Sequence, residues 1–129
     1  MRPDGNGFWG QRIRQNNPRV DGYELKINPQ NESYYLPHPE GGYVQFENMI
    51  NSTVQDGKLV MQQKSFYHVN DMPDFAKNKV VEEARRQIDA AVAADYKFEW
   101  LVSDESAVNQ LPEFFKEHNV NISVTLYPE

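Results

Sequence analysis

Apolar and polar positions alternate along the chain in blocks of two periods, one near two residues and one near 3.6. Tyr23, Leu25 and Ile27 alternate with Glu24, Lys26 and Asn28, which predicts a strand with one apolar face, stopped by Pro29. A loop then runs through Tyr34–Tyr35–Leu36 and the Pro37-His38-Pro39 turn to Gly41–Gly42. Tyr43, Val44 and Phe46 predict a second strand that closes near Glu47, and Asn51–Ser52 and Asp56–Gly57 read as turns. Leu59 to Tyr67 predicts a third strand with apolar residues on both faces, as in a central strand.

The clearest helix opens at Pro73. Phe75, Val80, Ala84, Ile88, Ala91 and Val92 form its apolar stripe, opposite Lys77, Lys79, Glu82, Glu83, Arg86 and Asp89. Phe98 to Val102 is a short apolar run that reads as a buried strand. Ser103–Asp104 can cap a second helix, anchored by Phe114 and Phe115 and interrupted or restarted at Pro112. Ile122, Val124 and Leu126 alternate as a last strand. The order β-β-β-α-β-α-β predicts an α/β fold with a mixed central sheet flanked by helices and parallel neighbours near the end. Residues 1–20, rich in Gly, Pro and Asn, read as a lead-in, a linker or a short docking helix through Phe8, Trp9 and Ile13. The domain proper is expected over 21–129.

Composition narrows the chemistry. The 129 residues suffice for one domain with a real core. The absence of cysteine excludes disulfide scaffolds, thiolate nucleophiles and cysteine-zinc sites. His38, His68 and His118 are too scattered for a local histidine metal motif, and no apolar run approaches the ~18 residues of a membrane span. The net charge of −6 argues against a broad non-specific nucleic-acid binder. A nuclease whose cleft is charged locally, or by a metal, remains open.

On the expected third strand, Gln62 and Lys64 share a face because strand side chains repeat every two residues. Glu47, at the end of the preceding strand, can converge on that face. A carboxylate, an amide oxygen and a backbone carbonyl can hold a Mg²⁺-type ion, while a neighbouring lysine orients a water and offsets charge on phosphate. Asp56 is a rival acid, although Asp-Gly is itself a strong turn signal. Glu24 is either a third carboxylate or an exposed strand residue. Gln87 borders the helix stripe. Arg86 is either a phosphate contact or the i, i+4 partner of Glu82 on a solvated face. His68 suits acid–base work or a loop cover. Trp100, Phe98 and Phe66 read as core; Trp9 and Tyr34–Tyr35 read as packing residues that can also stack bases.

The run of motifs resembles the PD-(D/E)XK nuclease superfamily. Within it, the chain is similar to the restriction-endonuclease-fold toxin domains at the C-termini of bacterial polymorphic toxins (contact-dependent inhibition, Rhs and type VI effectors). The residues that carry the resemblance are Tyr23–Glu24, Val44-x-Phe46-Glu47, Gly57-Lys58-Leu59-Val60-Met61-Gln62-Gln63-Lys64, Ala84-Arg85-Arg86-Gln87, Phe98-Glu99-Trp100-Leu101-Val102, Ala107 and Val124-x-x-Tyr127-Pro128. Two positions depart from the family pattern: Gln62-x-Lys64 stands where Glu-x-Lys is usual, and Phe46-Glu47-Asn48 stands where Phe-Asp-Gly is usual. The resemblance implies a metal-dependent endonuclease acting on DNA or tRNA. Its catalytic residues would be Glu47, Gln62 and Lys64, its metal ligands Glu47, Gln62 and Glu24, and its substrate contacts Arg86 and Gln87. It implies Mg²⁺, with Mn²⁺ or Zn²⁺ as alternatives, delivery into a competitor's cytoplasm, and a cognate immunity protein. Two rival readings stand beside it: a catalytically disabled nuclease-fold binding module, motivated by Gln62, and an acidic immunity or adaptor protein that binds a basic toxin.

Overall fold

The computed structural model describes residues 7–12, 16–60 and 67–129. The chain is a mixed α/β fold. β1 (Phe8–Gln11) leads into α1 (Pro18–Ile27), followed by β2 (Glu32–Pro37), β3 (Tyr43–Phe46), β4 (Asn48–Ile50) and β5 (Thr53–Lys58). A one-turn 3₁₀ helix at Val69–Asp71 precedes α2 (Asp74–Ala93), β6 (Lys97–Val102), α3 (Glu105–Glu117) and β7 (Ser123–Leu126). β1, β2 and β3 make an antiparallel sheet, and β4-β5-β6-β7 a second one. In the second sheet β4 is antiparallel to β5, while β5, β6 and β7 run parallel, as the helix-linked connections predict. No helix among the described residues is long and apolar enough to cross a membrane.

Several elements differ from the sequence pattern. The strand expected at 22–28 is helix α1. Asn17 caps it through its side-chain oxygen, Pro18 supplies a preset first turn, and Tyr23, Glu24 and Ile27 are buried at helical spacing. Tyr34–Leu36, expected in a loop, lie within β2, with Tyr34 and Tyr35 paired on both sides and Leu36 with β3. The segment expected as a lead-in contributes β1, an edge strand on β2, and the first turn of α1. α3 runs through Pro112 without a break. Pro112 sits a full turn or more from the start, where the cost is normally high, and the helix is held by buried Ala107, Leu111, Phe114 and Phe115. The observed order is therefore β-α-β-β-β-β-α-β-α-β.

The most consequential shift is at the third expected strand. A strand lies at 53–58; of the residues expected as a strand over 59–67, Leu59, Val60 and Tyr67 lie outside any strand, and 61–66 lie outside the described residues. Asp56–Gly57 is not a turn but the middle of β5, hydrogen-bonded beside Trp100 and Leu101 of β6. Turn propensity loses here because β6 pairs along one side of these two residues and the Glu47 side chain takes the Gly57 N–H.

One core cluster joins Val80, Val81, Ala84, Trp100, Val102, Leu111, Phe114 and Phe115 between α2, α3 and β6. Another joins Tyr34, Leu36, Val44, Phe46 and Val54 to Ala90 and Ala91 of α2. α2 thus packs across both sheets. Its buried face is rotated from the expected stripe: Phe75 and Val92 are exposed, and Gln87 is buried.

Candidate active site

Four elements converge on an open cleft of about 360 Å³ lined by Glu24, Gln45, Glu47, Asp56, Lys58, Tyr67, Glu83 and Gln87 among others. Each is placed by local structure. β5 presents Val54, Asp56 and Lys58 on one face, toward α2. α2 presents Glu83 and Gln87, one turn apart, to that face. The match is metric, since i, i+2 on a strand spans about 6.7 Å and i, i+4 on a helix about 6 Å. Lys58 Nζ meets Glu83 Oε2 at 2.6 Å, and Gln87 Nε2 donates to Asp56 Oδ2 at 2.6 Å.

Glu47 sits at the joint between β3 and β4, where the chain passes from one sheet to the other. The Asn28 amide, just past α1, donates to the Glu47 carbonyl at 3.1 Å and so ties the joint to the helix. The Glu47 carboxylate is buried and accepts from the Gly57 N–H at 3.2 Å. Glu24 enters from α1, and the helix is pinned by the chain end: Tyr23 Oη donates to the Tyr127 carbonyl at 2.6 Å and Lys26 Nζ to the Pro128 carbonyl at 2.7 Å. Gly57 lets α1 approach closely; a Cβ there would overlap the Ile27 side chain.

The electrostatics are those of a crowded acidic site with one buried cation. Burial pushes the Glu47 carboxyl well above the usual range, and the neighbouring Asp56 pushes it further. Burial acts in the same direction on Asp56, but Lys58 overrides it, helped by hydrogen bonds from Glu47, Lys58 and Gln87, and Asp56 lies below its usual value. The two acids are therefore pushed apart, Glu47 toward its protonated form and Asp56 toward its charged one. Burial raises Glu24, against a hydrogen bond with Glu47 and the charge of Arg12. Lys58 is fully enclosed, 2.7 Å from Asp56, with its ammonium 4.7 Å from the Trp100 ring centroid. Burial alone would lower the Lys58 ammonium, yet Asp56 and the surrounding acids hold it well above the usual lysine value. Burial pushes Tyr67 up to about 12.

Gln87 has a fixed orientation. The Trp100 indole N–H, which can only donate, meets Gln87 Oε1 at 2.8 Å, so the amide NH₂ must face Asp56. Gln87 and Lys58 thus meet the same Asp56 oxygen, Oδ2. Among the described residues, no three His, Cys, Asp or Glu side chains already stand in the arrangement of a closed metal site.

Of the residues singled out from the sequence, Glu47, Glu24 and Gln87 lie at this cleft. Both ends of the Gln87 amide are engaged, the NH₂ by Asp56 and the oxygen by Trp100. Arg86 is exposed and donates to the Tyr43 carbonyl at 3.4 Å. Gln62 and Lys64 lie outside the described residues. His68 is buried and bonded to Asp104 Oδ2 at 2.8 Å, away from the cleft-lining set. Sequence reasoning offers Asp56 only as a rival acid and misses Lys58. Their signal was available: an acid and a lysine two apart, with the acid nine residues after Glu47. Reading Asp56–Gly57 as a turn hid it. Comparison with protein-family models, curated proteins and solved structures finds no significant match.

Proposed function

We propose that this chain is a metal-dependent nuclease whose working set is Glu47, Asp56 and Lys58, with Glu24 as a further acid and Gln87 as a positioning residue. One observation carries the reading: a carboxylate-x-lysine pair on a sheet strand, Asp56 and Lys58, faces a second buried carboxylate, Glu47, inside an open cleft. The donor set fits a hard, oxygen-liganded cation. Mg²⁺ commonly uses one or two carboxylates and takes its other ligands from water and phosphate, which suits a cleft with two buried acids and room beside them. Two acids that can keep only one charge between them are also relieved by a cation in place of the proton.

Glu47 and Asp56 would hold the ion, and Glu24 is near enough to Glu47 to share a hydrogen bond with it. When bound, the ion supplies Lewis-acid polarisation of phosphate and a more acidic water. Lys58 sets a fixed positive charge beside the site, where negative charge grows on the phosphoryl oxygens. Its contact with half-exposed Glu83 is the one that a phosphate oxygen can replace without stranding a buried charge. Asp56 stays aligned through Gln87. The carboxylate that Gln62 lacks is supplied here by Asp56, so the motive for a disabled site falls away. Delivery as an antibacterial toxin and neutralisation by an immunity protein rest on the sequence resemblance alone.

The test is cleavage of plasmid DNA and of total tRNA with Mg²⁺, Mn²⁺, Zn²⁺ or EDTA, beside Asp56→Asn and Lys58→Met. Metal-dependent cleavage that both substitutions reduce by a hundredfold or more supports the reading. Cleavage that survives both, or none with any metal, overturns it.

A further inference from the structure

The antiparallel sheet has two unlike faces. The inner face, with Tyr34, Leu36, Val44 and Phe46, is buried against α2 and already has its packing layer. The outer face carries Phe8, Tyr35 and Tyr43. Phe8 and Tyr35 are direct cross-strand partners with stacked rings 5.2 Å apart, and Tyr43 meets Phe8 edge-on at 5.2 Å. Tyr43 is 57% exposed and Phe8 47%. Three rings on a solvent-facing sheet contribute nothing to the core beneath them.

This face leads into the cleft. Tyr43 and Gln45 share one face of β3, and Gln45 lines the cleft together with Glu47, which follows at the joint to β4. Gln45 lies across from Tyr35 in the sheet and donates to Ser33 Oγ at 2.8 Å. Tyr43 and Gln45 are therefore about 7 Å apart along the strand, a distance that suits neighbouring bases. Arg86 adds an exposed guanidinium against the Tyr43 carbonyl.

We infer that Phe8, Tyr35 and Tyr43 form a stacking platform that takes unpaired bases and feeds the adjoining phosphodiester into the cleft, so that the substrate is a single strand or an unpaired loop. This deepens the nuclease reading and rests on it for the identity of the cleft. The argument from charge is independent. A chain of net charge −6 cannot draw its nucleic-acid affinity from a broad basic face. Base–aromatic stacking supplies affinity without one and tolerates any sequence. Stacking needs exposed ring faces, which a base-paired duplex cannot occupy along its length.

The experiment is fluorescence anisotropy of the full chain in EDTA, so that no cleavage occurs, with a labelled 12-nucleotide single strand and the same sequence as a duplex. The wild type binds the single strand at least tenfold more tightly. Tyr43→Ala and Phe8→Ala each weaken single-strand binding by about tenfold, while Tyr43→Phe, which keeps the ring, stays within twofold of wild type. Circular dichroism confirms that the Ala variants fold. Equal or tighter duplex binding, absence of any binding, or an unchanged affinity in Tyr43→Ala overturns the inference. The two readings fail separately: Tyr43-dependent binding with no cleavage in any metal removes the nuclease and keeps the platform, whereas cleavage indifferent to Tyr43→Ala does the reverse.

Discussion

Replacing Glu47 by Gln keeps the shape of the side chain and an acceptor for the Gly57 N–H, and removes only the titration. Burial and Asp56 raise the Glu47 carboxyl well above its usual 4.5 in the folded chain. Above pH 4.5 the unfolded chain has released this proton while the folded chain still holds it. The folded state then binds one more proton, so stability falls as pH rises. The contribution is complete below the unfolded value and is lost as pH climbs through the folded one. One proton sets the slope at up to about 1.4 kcal/mol per pH unit. Glu47→Gln has no such slope. Urea unfolding of both proteins between pH 4.5 and 8, without metal, measures the difference directly. The variant is expected to gain stability over wild type as pH rises from 4.5 toward the folded value of Glu47 and to hold a constant advantage above it. Added Mg²⁺ at ten times its Kd restores about 1.4 kcal/mol to wild type and little to Glu47→Gln. Parallel pH curves for the two proteins would refute the buried-proton argument, and equal Mg²⁺ effects would refute Glu47 as a ligand.

Other outcomes follow from the same geometry. Lys58→Met leaves the buried Asp56 carboxylate without its cation and should destabilise the chain by about 3 kcal/mol. Adding Asp56→Asn to Lys58→Met should recover at least about 1 kcal/mol of that loss in a double-mutant cycle. Gly57→Ala brings a Cβ against the Ile27 Cδ1 methyl and should lose about 1 kcal/mol; Ile27→Ala, which removes that methyl, should make the Gly57→Ala step milder in thermal melts. Asp104 caps α3 through the Ala107 N–H and bonds His68, so Asp104→Ala should lose about 1 kcal/mol. The His68 hydrogen bond, with the Ala107 N–H, holds Asp104 below its usual 3.8, so its contribution is present above that pH and fades as pH falls through the folded value. Acid titration of wild type against Asp104→Ala checks the sign.

The α/β class, α2, β6, the Asp104 cap of α3 and the parallel ending were legible because each rests on local periodicity or a local cap. Residues 53–58 were not. Thr53-Val54-Gln55-Asp56-Gly57-Lys58 carries almost no apolar alternation, because the face it turns inward holds an acid and a lysine in place of aliphatic side chains. Local rules price Asp-Gly as a turn, and a buried salt bridge leaves no mark in a hydropathy pattern. α1 was misread because Tyr23, Leu25 and Ile27 fit a period of two, while its helical signal lay in the Asn17–Pro18 start.

The sequence by itself determined which residue types are present, a chain without cysteine and rich in acids, and the nomination of Glu47, Glu24 and Gln87. Only the tertiary structure decided that Asp56 and Lys58 complete the site. Their pairing depends on β6 and β4 flanking β5, on α2 crossing it at matching pitch, and on Gly57 admitting α1. A buried acid is tolerable only where a cation and hydrogen-bond donors meet it; Asp56 has its cation two residues away in Lys58, but the Gln87 amide that holds it lies 31 positions along the chain.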